Sequence, residues 1–115
     1  MRPLIRKGGM NRQEENYSSI LKLLQAAGEV LDWRYEPFGL KLAEMRCYYH
    51  PDFLVVYQDH FEVHEVKGFN KQTRGPRYED DAIVKIKVAA KIFPFWEFKL
   101  VWFDGSNWQD RPIKA

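Results

Sequence analysis

The chain has 115 residues, 45% of them apolar and 30% charged, and a formal net charge of +2. That suffices for one packed water-soluble domain, spanning 1–115, and not for two. No apolar run reaches the length of a membrane span or a signal-peptide core, so a cytoplasmic protein with no membrane partner is expected, and the lone Cys47 excludes an internal disulfide.

In chain order, residues 1–10 read as a basic arm, since Arg2, Arg6, Lys7 and Arg12 all precede the first acid. From about Asn11 to Ala27 the sequence reads as an amphipathic helix, with Tyr17, Ile20, Leu21 and Leu24 at helical spacing and Gly28 as its stop. An extended stretch begins at Leu31. Beyond Pro37, the segment Phe38–Leu42 is expected to supply the first sheet strand, and 43–46 to turn the chain into a strand over Cys47–Tyr57. Gln58-Asp59-His60 then turns a hairpin into Phe61–Lys67. Gly68–Arg77 reads as a polar loop. Asp80 or Asp81 caps a second helix, Ala82 to Phe93, which Pro94 follows, and Glu97–Phe103 is the last strand. From 104 on a turn and polar tail are expected, giving the order αβββαβ. Most of the aromatic residues, Phe95 among them, are expected in the core.

Chemistry concentrates in Tyr49-His50-Pro51-Asp52 and Glu65-Val66-Lys67. The hairpin brings Asp52 and Glu65 onto neighbouring strands. Alternation of side chains then points Glu65 and Lys67 the same way, turns Val66 into the packing and keeps its carbonyl near the acids. Hydrolysis of a phosphodiester needs a divalent cation to neutralise charge and acidify a water, and Mg²⁺ or Mn²⁺ is held by one or two carboxylates plus waters and phosphate oxygens. Lys67 could orient the attacking water, help deprotonate it, or offset transition-state charge. The structural alternative is a strand-end ion pair between Asp52 and Lys67.

Other residues extend the candidate site. Glu14 lies three before Tyr17 and seven before Leu21, hence on the buried stripe, whereas Glu15 is turned about 100° away, so Glu14 is preferred to Glu15 as a further acid, its alternative being an exposed acid favoured by the helix dipole. Lys71, Arg74 and Arg77, with Arg12, offer contacts to DNA phosphates. On the second helix Lys85 and Lys87 project about 200° apart, and Lys85 is favoured as a phosphate contact, its alternative being an i,i+4 pair with Asp81. His64 faces away from Glu65 and is expected to be structural.

The helix glutamate, Pro51-Asp52, Glu65-Val66-Lys67 and a lysine-bearing helix, in αβββαβ order over residues 11–103, resemble the PD-(D/E)XK nuclease superfamily. Within it, Tyr49 to Leu54, Glu65 to Gly68, the Asp80-Asp81 pair and Phe93-Pro94 resemble a phage-encoded family of short nuclease-like proteins and the phage endonuclease I class of Holliday junction resolvases. The resemblance implies a restriction-endonuclease-like α/β core with a mixed central sheet flanked by helices. It also implies Asp52, Glu65 and the Val66 carbonyl as metal ligands, Lys67 as the catalytic lysine, Glu14 completing the site, and DNA cleavage leaving a 5′ phosphate and a 3′ hydroxyl. His50 and the long loop after the motif depart from the resolvase pattern. A homodimeric, Mg²⁺- or Mn²⁺-dependent endonuclease acting on branched DNA is the leading expectation, encoded by a phage or prophage. A sequence-selective or nicking nuclease, or a catalytically silent module that binds DNA or protein, is the alternative.

Overall fold

The computed structural model describes residues 9–77 and 80–114, so Arg2, Arg6 and Lys7 of the basic arm lie outside the described residues. Helix α1 spans Arg12–Ala26. Five strands follow: β1 (Asp32–Tyr35), β2 (Leu40–Ala43), β3 (Cys47–Tyr49), β4 (Phe53–Val56) and β5 (Phe61–Val66). A short ladder β6 (Phe69–Asn70) and β7 (Gly75–Pro76) precedes helix α2 (Asp80–Ile92), and β8 (Glu97–Phe103) and β9 (Trp108–Pro112) close the chain. The central sheet has the order β1-β4-β5-β8-β9, mixed in direction because β5 and β8 run parallel while their neighbours are antiparallel. The parallel step needs a crossover, which α2 supplies. Among the described residues no helix is long and apolar enough to cross a membrane.

Each face of the sheet carries one helix. On one face, Tyr17 and Leu21 of α1 pack with Val30, Phe53, Val55, Val66 and Val101. On the other, Ile86, Ala89 and Ala90 of α2 pack with Val63, Phe98, Leu100 and Trp102. Leu100, Val101 and Trp102 thus alternate between the two clusters, as pleating requires. Phe53 is fully buried and sits 5.3–5.8 Å, ring to ring, from Tyr17, Trp33 and Tyr35. Helix α1 starts at an Asn11 cap: Asn11 Oδ1 accepts the Glu14 N–H at 2.8 Å, and the Asn11 N–H donates to Glu14 Oε1 at 3.0 Å. This reciprocal box satisfies two amides that the helix leaves without partners. Gly28, at φ +85°, ends the helix where a side chain would be strained.

Five expectations are corrected. The first strand of the central sheet is Asp32–Tyr35 and not Phe38–Leu42. Glu36, at φ 46°, and Pro37 turn the chain away, and Leu40–Ala43 pairs instead with Cys47–Tyr49 in a separate hairpin that lays Leu40 and Tyr49 on the α2 cluster. The continuous strand Cys47–Tyr57 is divided, because Pro51 cannot donate to a ladder and marks the passage from that hairpin into the central sheet. The tail holds a strand, β9, paired antiparallel with β8. Beyond Trp108, which packs on the α1 cluster, its exposed residues lack the alternation of a half-buried strand, and it lies at the sheet edge, paired to β8 through the backbone. Finally, Phe95 is 96% exposed, on the loop after α2, and is not a core aromatic. Helix α2 begins at Asp80, two residues before the expected Ala82.

Candidate active site

The carboxylates meet where three elements begin or end. Asp52 lies in the loop entering β4, Glu65 near the last residue of β5, and Glu14 in the first turn of α1. Asp52 Oδ2 accepts the Val66 N–H at 2.8 Å, which stitches the start of β4 to the end of β5, and the Asp52 backbone carbonyl accepts the Glu36 N–H at 2.7 Å. Glu65 and Glu14 are its acidic neighbours. Together with Lys67, these acids line one cavity of about 470 Å³, whose other walls include Gln13, Gly68, Phe69 and Arg77.

Each acid is anchored by a side chain or amide from another element. Tyr35, the last residue of β1, donates its hydroxyl to Glu14 Oε1 at 2.9 Å, the same oxygen that accepts the Asn11 amide. Tyr49, the last residue of β3, donates to Glu65 Oε1 at 2.8 Å. Glu65 Oε2 pairs with Lys67 Nζ at 3.4 Å. Lys67 thus has an ion-pair partner within Glu65-Val66-Lys67, as two residues on one side of a strand permit.

Burial and crowding dominate the electrostatics. Glu14 and Glu65 are buried, at 3% and 9% exposure. Burial, and after it the neighbouring Glu65 charge, raises the Asp52 pKa well above the ordinary carboxylate value, against the pull of the Val66 amide, and Glu14 adds to the rise. Glu65 is also raised by burial, opposed by Lys67 and the Tyr49 hydroxyl. Burial, with Glu65 second, pushes the Tyr49 phenol well up, so it stays a donor. Acids massed at this density repel one another, and a divalent cation would relieve that cost. The donor set is all oxygen, which suits Mg²⁺ or Mn²⁺.

The expected cations distribute unevenly. Arg77 lines the acid cavity and donates Nε to the Phe69 carbonyl at 3.1 Å. Lys85 stands in the wall of an adjoining cavity of about 530 Å³, with Tyr48, Tyr49, His50, Asp81 and Ala82, and Glu65 separates the two spaces. Arg12 is exposed at the first position of α1. Lys71 and Arg74 occupy the exposed tip of the β6–β7 hairpin, which is closed by Arg74 N–H to the Asn70 carbonyl at 2.8 Å and Arg77 N–H to Gly68 at 2.7 Å. Arg12, Lys71 and Arg74 are not among the residues lining the acid cavity. His64 is buried in the sheet's α1 face, its Nδ1 2.6 Å from the Tyr17 hydroxyl.

Sequence reasoning missed Tyr35 and Tyr49 as partners of the acids. Both close a short strand two residues before a proline, and tyrosine at a strand end is a weak signal without the tertiary pairing that aims its hydroxyl. Comparison of the chain with protein-family profiles, with curated proteins and with solved structures yields no match.

Proposed function

We propose that this protein is a metal-dependent DNA endonuclease of the PD-(D/E)XK kind, built on a restriction-endonuclease-like core, taking Mg²⁺ or Mn²⁺ and working in a cytoplasmic setting. One observation carries the reading: Glu14, Asp52 and Glu65 converge with Lys67 on a single cavity open to solvent. Buried carboxylates are expensive unless a cation or hydrogen bonds compensate them, and folds keep such clusters for chemistry more readily than for stability. The elements of the central sheet and its helices, taken as α1, β1, β4, β5, α2 and β8, also run in αβββαβ order.

Asp52, Glu65 and the Val66 carbonyl would hold the cation, with Glu14 adjoining. When bound it supplies charge neutralisation and a more acidic water. Lys67 is held at the same cavity by Glu65, where its ammonium can bind a phosphate oxygen or a water. Arg77 and Gln13 in the wall offer donors to flanking phosphates. Tyr49 and Tyr35 fix one oxygen of Glu65 and of Glu14, leaving the carboxylates little freedom to rotate. One chain offers one such centre, so symmetric cutting of two strands, as in a branched junction, calls for a homodimer.

The competing reading, a silent module that binds DNA, draws on the internal pairing of Glu65 with Lys67. Incubation with supercoiled plasmid, linear duplex and a four-way junction, in Mg²⁺, Mn²⁺ or chelator, separates the two. The endonuclease cleaves only with metal, and Asp52→Asn and Lys67→Ala each abolish cleavage. Binding without cleavage by the wild type establishes the module. Preference for the junction together with a dimer by light scattering supports structure selectivity, and a monomer that only nicks removes it.

A further inference from the structure

The opposite end of β5 carries a second group of polar side chains. Glu62 and Glu97 are direct partners on the parallel β5–β8 pair. Like charges facing one another across a ladder cost stability, and Glu62 is only 5% exposed. His60, in the turn before β5, stands against both: its Nε2 lies 2.8 Å from Glu62 Oε2 and 3.8 Å from Glu97 Oε2. One imidazole nitrogen and two carboxylate oxygens thus fall within 4.8 Å of one another.

Two of these ligands are held from behind. Asp59 Oδ1 engages His60 Nδ1 at 2.7 Å, which leaves Nε2 turned to the carboxylates. Glu62 Oε1 is taken by His64 Nε2 at 2.8 Å and Lys99 Nζ at 3.2 Å, which aims Oε2 at His60. A carboxylate on the far nitrogen is the device that fixes the tautomer and ring orientation of metal-binding histidines.

We propose that His60 Nε2, Glu62 Oε2 and Glu97 Oε2 bind a divalent transition-metal ion, Zn²⁺ before others, with water completing the shell. One nitrogen and two carboxylate oxygens are a borderline donor set that suits Zn²⁺, whereas Mg²⁺ prefers oxygen alone. Three protein ligands and a water leave a position for exchange. The half-exposed His60 gives the ion a path from solvent, and the Lys99 charge behind Glu62 tempers affinity, so the ion exchanges and is not a structural staple. Glu62 projects from the face of β5 opposite Glu65. The site therefore stands apart from the acid cavity and does not rest on the nuclease reading.

Calorimetric titration with ZnCl₂, on the full chain carrying Asp52→Asn and Glu65→Gln so that the acid cavity is blanked, tests this. One ion per chain should bind, and excess Mg²⁺ should leave it in place. Adding His60→Ala should abolish binding, and Asp59→Ala, which removes no ligand, should weaken it roughly 10- to 100-fold. His60 is in an exposed turn, so its loss spares the core, and metal-free thermal unfolding of the variant verifies this. Imidazole NMR gives a second readout: Zn²⁺ should shift His60 Nε2. Zinc affinity unchanged by His60→Ala, or an unperturbed His60 signal at saturating zinc, overturns the proposal. So does zinc binding in the wild type that vanishes with the acid-cavity substitutions alone.

Discussion

Replacing Asp52 by asparagine should make the metal-free protein more stable and the metal-loaded protein less so. Asp52 is half-buried beside Glu65 and Glu14, and the Val66 amide, at 2.8 Å, is the neighbour that favours its charged form. Two like charges about 4–5 Å apart repel by about 3–4 kcal/mol at an effective dielectric near 20. Asparagine keeps an oxygen for the Val66 amide and removes the charge, at some cost for burying its amide. A net gain of about 1–2 kcal/mol follows, equivalent to about 4–8 °C in Tm for a domain of this size. The pH dependence has a definite sign. A carboxyl raised above its ordinary 3.8 contributes to stability in full below that value, and the contribution is lost as pH rises through the raised one. In chelator, the wild type should therefore lose stability across that interval and the variant should not. Saturating Mg²⁺ reverses the order, because a ligand at a hundredfold excess over its Kd adds about 2.7 kcal/mol to the form that binds it. Urea unfolding of both proteins, in chelator and in Mg²⁺ across pH, is the assay. Destabilisation by Asp52→Asn in chelator, or wild-type stability indifferent to Mg²⁺, refutes the reasoning.

Three further outcomes are expected. Tyr49→Phe removes the hydroxyl from Glu65 Oε1 and should cost about 1.5–3 kcal/mol while raising the Mg²⁺ concentration needed for half-maximal cleavage, read from a metal titration. Phe53→Ala empties the centre of an aromatic cluster and should cost about 3–5 kcal/mol in urea unfolding, whatever the metal. Glu62 is lowered from 4.5 to about 2, since hydrogen bonds from His64 and His60, aided by Lys99, outweigh its burial. Its contribution is present above pH 4.5 and lost as pH falls toward 2, so Glu62→Gln should flatten the acid limb of stability over that interval.

Local pattern made much of this legible. The α1 stripe, its Gly28 stop, the Tyr57–Phe61 turn and the Glu65-Val66-Lys67 face all follow from periodicities of 3.6 and 2 that the residues display directly. Glu14 could be preferred to Glu15 on the same ground, and it is Glu14 that is buried in the acid cavity. What escaped depends on partners distant in sequence. Phe38–Leu42 has the composition of a central strand, yet Leu40 finds its burial on α2, and no local preference distinguishes the two destinations. β9 has Trp108 as its one apolar anchor, and the exposed residues after it are held by ladder pairing that leaves no alternation to read. Tyr35 and Tyr49 reach the acids only because β1 and β3 end beside them.

Strand β5 places Glu62 and His64 on one side and Val63 and Glu65 on the other. Sliding it by a single position against β4 or β8 would drive both glutamates into apolar surroundings and bring two valines out beside the charges. The buried charges that cost this strand stability thereby act as a lock on its alignment, and a chain that mispairs here cannot settle into a tolerable alternative.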